Sequence, residues 1–163
     1  MDAKTDPAGK NPTTADRMSD RELVVTRRVN GPAHLIFRAW TTPALMQRWW
    51  VPKSFGIKLL SCEIEARTGG KYRFVFAVPG TEQTMAFFGT YLEVIPDAKI
   101  VWTNEESGEG AVSTVTFAER DGVTLVTVHE IYPSKEALDE AIASGSTGAW
   151  PEQFDALDAL LAG

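Results

Sequence analysis

The residues of this sequence best suited to proton transfer are His129 and Glu130, which are adjacent in a segment rich in β-branched residues. A histidine exchanges a proton near neutral pH, and an apolar environment shifts the pKa of either group. Because neighbours in a strand point to opposite faces of a sheet, one of the two faces inward. The surrounding apolar residues are divided between both faces, so periodicity does not decide which one. We name both as candidate acid/base groups; the alternative is one solvated group and one satisfied neighbour.

Other signals for catalysis or metal binding are missing from the sequence. His34, His129 and the single cysteine, Cys62, are far apart and lack the paired spacing of a structural metal site. The glycine patterns of nucleotide-binding loops and the Gly-x-Ser-x-Gly motif of α/β hydrolases do not occur. We therefore predict no metal and no cofactor. We favour a protein without catalytic activity and leave the enzyme alternative open.

Aromatic residues suggest an apolar binding site. Trp49 and Trp50 follow each other, with Phe55 shortly after, and an indole offers a large apolar surface with a polar N–H. These residues could form a lid over the mouth of the cavity, or they could pack in the core between a short helix and the sheet. We expect one of the two tryptophans to be buried and its neighbour to be more accessible. Together with His129, further candidates for the cavity wall are Phe74, Phe76, Phe88, Trp102, Phe117, Trp150 and Phe154. For each of them ordinary core packing is the alternative.

The composition restricts the class of protein. The chain has 163 residues, 44% of them hydrophobic, and a net charge of −6. A chain of this size can bury a core as one domain, and its acidic balance disfavours nucleic acids and anionic membranes as partners. Residues 1–20 are polar and contain no signal-peptide pattern, and no apolar stretch is long enough to span a membrane. We predict a disordered tail over residues 1–20, one domain over residues 21–163, and a cytoplasmic location.

The pattern of turns and apolar residues predicts an α+β fold. A strand over Glu22–Val29 is followed by two short helices, one over residues 32–40 and one that starts at Pro43 and stops before Pro52. Short connections then indicate an antiparallel meander. Its strands are predicted over residues 57–67, 71–78, 84–95, 99–104, 111–119 and 123–132. Ser134 and Gly145 bound a helix over 135–143, and a last amphipathic helix begins near Ala149. We predict a curved antiparallel sheet of about seven strands around this long C-terminal helix, with a cavity between them.

Several motifs, taken in order, resemble a known family. They are Ala39-Trp40-Thr41-Thr42-Pro43, Trp49-Trp50-Val51-Pro52, the run from Glu65 to Tyr72, the run from Gly89 to Pro96, and Gly148-Ala149-Trp150. With these motifs the chain resembles a single-domain bacterial member of the Hsp90-ATPase-activator-homologue group, within the START-like (SRPBCC) helix-grip superfamily. The resemblance implies a helix-grip fold and a cavity for a small hydrophobic molecule.

Three functions follow as hypotheses. The leading one is non-enzymatic binding of a small hydrophobic or aromatic molecule in an internal cavity. The wider superfamily resemblance implies the second, a cyclase or hydratase that acts on a polyketide-like substrate through His129 or Glu130. The third is a module that interacts with an Hsp90-type chaperone. A homodimer formed through an exposed sheet edge or the Trp49-Trp50 region is also left open.

Overall fold

The computed structural model describes residues 11–51, 54, 56–105, 110–144 and 146–162. Within these residues the chain forms one eight-stranded antiparallel sheet and four α-helices. The strands are β1 (Thr13–Arg17), β2 (Glu22–Val29), β3 (Leu59–Ile64), β4 (Lys71–Ala77), β5 (Thr84–Ile95), β6 (Lys99–Thr103), β7 (Val112–Arg120) and β8 (Val123–Ile131). The helices are α1 (Ala33–Thr41), α2 (Pro43–Trp49), α3 (Lys135–Ala143) and α4 (Trp150–Ala162), the last preceded by a 3-10 helix at Ser146–Ala149.

The sheet has the strand order β1-β2-β8-β7-β6-β5-β4-β3. Strands β3 to β8 form an antiparallel meander, and β2 pairs with β8, which brings the first and last parts of the sheet together. The buried residues alternate along β2, β4, β7 and β8, so one face of the sheet is apolar. The helices cover this inner face. The predicted α+β helix-grip fold is therefore confirmed.

The strand β1 was not predicted. The expectation of a disordered tail up to residue 20 is wrong for Thr13–Arg17, which pairs with β2 in antiparallel register. Four of these five residues are exposed, so the segment carries no hydrophobic pattern that would reveal a strand. It is held by the ladder itself and by the Arg27 guanidinium, which donates from Nη1 to Oγ1 of Thr13 over 2.9 Å. The first ten residues of the predicted tail lie outside the described residues.

The helix ends follow the local chemistry of the sequence. Pro43 occupies the first turn of α2, where a missing N–H is tolerated, and the Ser134 hydroxyl accepts a hydrogen bond from the Ala137 N–H at the start of α3 over 3.0 Å. Helix α4 begins at Trp150, one residue after the predicted start near Ala149. The predicted end signal at Gly145 lies outside the described residues. In the part of the chain that is described, no helix is long and apolar enough to cross a membrane.

Helix α4 lies across the inner face of the sheet and is fixed to it in two ways. Phe154 and Leu157 are fully buried in the core. Arg27, which projects from β2 into the same layer, forms ion pairs with Asp155 and Asp158 of α4 at 2.9 and 2.6 Å. The helix is thus held by apolar contact and by paired charges. It forms the support against which the first two helices pack.

Candidate functional site

A pocket of about 50 Å³ opens between helices α1 and α2 and the inner face of β4, β5 and β6. Its lining consists of Trp40, Met46, Trp50, Tyr72, Phe74, Phe87, Tyr91, Trp102 and Asn104. Most of these side chains are buried and form the floor, whereas Trp50, Phe87 and Asn104 are partly exposed and border the mouth. The site is an aromatic pocket with one amide group at its rim.

Trp50 connects the pocket to the helices. Its ring meets Trp40, Phe74 and Trp150 in edge-on contacts, with ring centroids 6.4, 6.1 and 5.7 Å apart. The backbone oxygen of Trp50 accepts a hydrogen bond from Nε2 of Gln153, which belongs to α4. The adjacent Trp49 is fully buried and donates its indole N–H to the backbone oxygen of Ala39 over 3.0 Å. The expectation of one buried and one accessible tryptophan is confirmed.

The register of β5 decides which phenylalanine reaches the pocket. Phe87 lies directly opposite Phe74 of β4, and paired residues share a face of the sheet. Phe88 lies opposite Arg73 and therefore faces outward. The prediction that Phe88 lines the cavity is wrong, and its neighbour Phe87 takes that place. The two side chains are equally accessible, at 39% and 38%, so exposure alone does not distinguish them.

Asn104 carries the amide group of the pocket lining, and this amide is held by its neighbours. Nδ2 donates to the backbone oxygen of Ala111 over 2.7 Å and to Oγ of Ser113 over 3.4 Å. The hydroxyl of Tyr72 donates to the backbone oxygen of Thr103 over 2.7 Å and lies 3.4 Å from Oδ1 of Asn104. These contacts place the amide nitrogen toward β7 and the amide oxygen toward Tyr72, another pocket residue.

Glu130 faces inward and His129 faces outward. Glu130 pairs with Ser113, which in turn pairs with Trp102, so these side chains share the inner face. The Glu130 carboxyl accepts hydrogen bonds from Ser113 and Tyr132 at 3.3 and 3.2 Å, and its burial raises its pKa above the ordinary range of a glutamic acid.

Nε2 of His129 lies 2.9 Å from a carboxylate oxygen of Glu22 on the outer face, and the His129 side chain is 37% exposed. The prediction that His129 lines the cavity is wrong. The physical reason is the register with β2, in which His129 lies opposite Val24 on the outer face while Glu130 lies opposite Leu23 on the inner one. Of the two acid/base candidates, only Glu130 faces the layer that contains the pocket. It is linked to Asn104 through Ser113 and does not itself line the pocket.

The raised pKa of Glu130 predicts how the variant Glu130→Gln responds to pH. A carboxyl group whose pKa is higher in the folded protein stabilises the fold below the ordinary value of 4.5, and this contribution is lost as pH rises through the raised pKa. Glutamine has the same shape and no charge to desolvate. We expect the variant to gain on the order of 1 kcal/mol over the natural protein at pH 8, and less at pH 4.5. Urea unfolding at both pH values measures this difference.

Glu63→Gln is the control for this experiment, because Glu63 is exposed on the outer face opposite Arg73. We expect it to show no comparable gain between the two pH values. If Glu130→Gln instead lost stability at pH 8, the Glu130 carboxylate would be a net stabilising partner of Ser113 and Tyr132.

The structure divides the predicted binding residues into distinct groups. Trp50, Phe74 and Trp102 line the pocket; their role in binding stays a prediction. The residues buried in the surrounding core are Trp49, Phe76, Phe117, Trp150 and Phe154. Phe55 lies outside the described residues. The pocket residues that sequence reasoning missed are Trp40, Met46, Tyr72, Phe87, Tyr91 and Asn104.

Metal ligands are not brought together within the described ranges, where no three His, Cys, Asp or Glu side chains form a cluster that could hold an ion. Cys62 of β3 is buried, and this burial raises the pKa of its thiol to about 11. At neutral pH the thiol is therefore protonated and is a poor nucleophile. The chemistry available at the site is apolar contact and hydrogen bonding.

The fold and the pocket define a helix-grip protein, in which a curved antiparallel sheet packs around a C-terminal helix. The sequence profile of the family described as Activator of Hsp90 ATPase homolog 1-like protein matches residues 30–162. The chain therefore belongs to this family, and its fold is the START-like (SRPBCC) helix-grip fold.

Solved structures share the fold at low sequence identity. A protein of Rhodobacter sphaeroides is 22% identical, with a TM-score of 0.84 over 93% of this chain and 98% of that one. A protein of Mycobacterium smegmatis is also 22% identical, with a TM-score of 0.78 over 93% and 98% of the two chains. An AHSA1-like protein of Aeromonas hydrophila is 16% identical, with a TM-score of 0.67 over 83% and 92%. A comparison with curated proteins finds none that matches this chain.

Proposed function

We propose that this protein binds a small hydrophobic or aromatic molecule in the pocket between α1, α2 and strands β4 to β6, without catalysing a reaction. The observation that supports this proposal is the lining itself, which is mostly aromatic and carries few polar groups, among them the Asn104 amide and the hydroxyls of Tyr72 and Tyr91. Binding sites for small molecules commonly combine an apolar wall with a few placed polar groups. The paired aromatic rings around Trp50 give this wall a defined shape.

The volume of the pocket limits the ligand to a small ring unless the wall moves. The pocket holds about 50 Å³, whereas an engineered apolar cavity of about 150 Å³ accommodates benzene and sites for drug-sized ligands span roughly 300–1,000 Å³. Phe87 is the lining residue best placed to move, because it is 39% exposed at the mouth. Rotation of its ring outward would enlarge the pocket, at the cost of its edge-on contact with the Phe76 ring, whose centroid lies 5.2 Å away. We propose Phe87 as the side chain that opens the site.

The variant Phe87→Ala tests this proposal. Removing the ring should enlarge the pocket by about the volume of a phenyl group and bring it close to the ~150 Å³ that holds benzene. We expect toluene to bind this variant about tenfold more tightly than the natural protein, since the ring no longer has to be displaced. Two-dimensional ¹⁵N–¹H NMR titration, which follows the indole N–H signals of the tryptophans, gives the dissociation constants.

Phe88→Ala is the matched control, because it removes the same ring from the adjacent residue on the outer face. We expect it to bind toluene as the natural protein does. A gain in both variants would indicate general loosening of β5 and would contradict the assignment of Phe87. If toluene bound to none of the three proteins, the proposal of an aromatic-ligand site would be wrong.

The other two hypotheses receive less support from the described residues. The enzyme alternative is weakened because His129 lies on the outer face and Glu130 is connected to the pocket only through Ser113 and Asn104. For a chaperone-interacting module or a homodimer, the described residues provide no surface that is distinguished as a binding site for a protein partner. Protein purified from its native host, followed by mass spectrometry of the co-purifying molecules, would identify the ligand.

A further inference from the structure

The surroundings of the Asn104 amide determine its orientation. The pocket therefore selects the polar group of a ligand as well as its apolar part. An asparagine presents either an acceptor or a donor to a ligand, depending on which way the amide is turned. Nδ2 lies 2.7 Å from the backbone oxygen of Ala111. Turning the amide over would place two oxygens at this distance, which is repulsive. The nitrogen is therefore committed to Ala111.

A second neighbour holds the same orientation. Oγ of Ser113 lies 3.4 Å from Nδ2 of Asn104, and the Ser113 hydroxyl proton is directed to Glu130 at 3.3 Å. A serine that donates to a carboxyl group offers its lone pairs on the other side, so it accepts from Nδ2. Hydrogen bonds thus run in one direction, from Asn104 through Ser113 to Glu130. This direction keeps the amide nitrogen away from the ligand.

The amide oxygen of Asn104 is left on the side of Tyr72. There it lies 3.4 Å from the Tyr72 hydroxyl, and that hydroxyl has a closer acceptor, the backbone oxygen of Thr103 at 2.7 Å. A carbonyl oxygen has two lone pairs, so Oδ1 retains the capacity to accept a strong hydrogen bond. Asn104 and Tyr72 both line the pocket. The Asn104 amide thus offers the pocket an acceptor.

From this geometry we infer that the ligand is an aromatic molecule with a hydroxyl or N–H group on its ring, such as a phenol, and that this group donates a hydrogen bond to Oδ1 of Asn104. The inference rests on the proposed function and specifies the class of ligand. A purely apolar ring fills the same volume but leaves the Asn104 oxygen without a ligand donor.

The test compares phenol with toluene, which differ by a hydroxyl in place of a methyl group, in the natural protein and in Asn104→Leu. We expect the variant to bind phenol about tenfold more weakly, as for the loss of one hydrogen bond, while its affinity for toluene is unchanged or higher. The variant should fold, because the backbone oxygen of Ala111 still accepts the backbone N–H of Asn104 at 3.1 Å. Asn11→Leu, far from the pocket, is the matched control and should alter neither affinity.

A measurement on the natural protein alone covers the case in which Asn104→Leu does not fold. Phenol should shift the side-chain amide signals of Asn104 in ¹⁵N–¹H spectra far more than toluene does at equal occupancy. Equal shifts from both probes, or an equal effect of the variant on both affinities, would overturn the inference and leave the aromatic-binding site standing. Failure of both probes to bind either the natural protein or Phe87→Ala would refute the site itself and the inference with it.

Discussion

Replacing Arg27 by methionine is expected to lower the free energy of unfolding by about 3–5 kcal/mol, the usual cost of removing one partner from a buried ion pair. The Arg27 side chain is 1% exposed, and its Nη2 lies 2.9 Å from Asp155 and 2.6 Å from Asp158. Asp158 is 12% exposed. Methionine fills a similar volume but leaves the Asp158 carboxylate in a poorly solvated position without its cation. The loss is therefore electrostatic rather than steric.

The neighbouring residue provides the control for this experiment. Arg28 is exposed on the outer face, so Arg28→Met should change stability by no more than about 0.5 kcal/mol. Arg27→Lys keeps the charge, but its single ammonium group loses the hydrogen bond that Nη1 of Arg27 donates to Thr13, and we expect an intermediate loss. Urea unfolding monitored by tryptophan fluorescence measures all three variants. Equal stability of Arg27→Met and Arg28→Met would mean that apolar packing alone holds α4 on the sheet.

The ion pairs of Arg27 also affect the site, because α4 supports one side of the pocket. Gln153 of α4 donates to the backbone of Trp50, and the Trp150 ring contacts the Trp50 ring. Loosening α4 would remove these supports together. Arg27 thus affects the pocket indirectly, because it fixes the position of α4.

The fold was predictable from the sequence to the extent that each element carries its own local signal. Strand β4 has a regular alternation of apolar residues, and α2 has a proline at its start. Strand β1 has neither feature, since its residues stay exposed and gain only the pairing with β2. An exposed edge strand of this kind depends on its partner, which lies elsewhere in the sequence.

The site was less predictable because it depends on register. Phe87 and Phe88 are adjacent and of the same type, as Trp49 and Trp50 are, and only the pairing of β5 with β4 decides which of the two phenylalanines faces inward. The irregularity in β5 between Tyr91 and Glu93 breaks the simple alternation further along the strand. A shift of one residue exchanges the two faces completely. Local composition could indicate an aromatic pocket, but not its individual residues.

Asn104 had no sequence signal as a binding residue. It follows β6 in a polar stretch, where an asparagine is ordinarily read as part of a turn. Its role arises from three groups that the fold brings together, namely the backbone oxygen of Ala111 and the hydroxyls of Ser113 and Tyr72. Such a site can be identified only once the neighbours of each strand are known.

Replacing Gly89 by alanine is expected to destabilise the protein by about 3 kcal/mol or more, because the added methyl group would collide with the backbone. A Cβ atom at this position would lie 1.9 Å from the backbone oxygen of Thr103 and 2.9 Å from the Tyr72 ring. The oxygen of Thr103 is also the acceptor for the Tyr72 hydroxyl, at 2.7 Å. Gly89 therefore permits the close approach of β5 and β6 that places Tyr72 at the pocket wall.

The measurement that tests this role is urea unfolding of Gly89→Ala beside Gly148→Ala. A Cβ atom at Gly148 would have no neighbour within 4 Å, so the same substitution there should cost little or be slightly stabilising. If enough Gly89→Ala remains folded at low temperature, the displaced Thr103 oxygen should also weaken the Tyr72 hydrogen bond and shift the amide signals of Asn104. Comparable stability of the two variants would contradict the close approach at Gly89. A large loss of stability with unchanged Asn104 signals would mean that Gly89 is needed for the stability of the sheet but not for the geometry of the pocket.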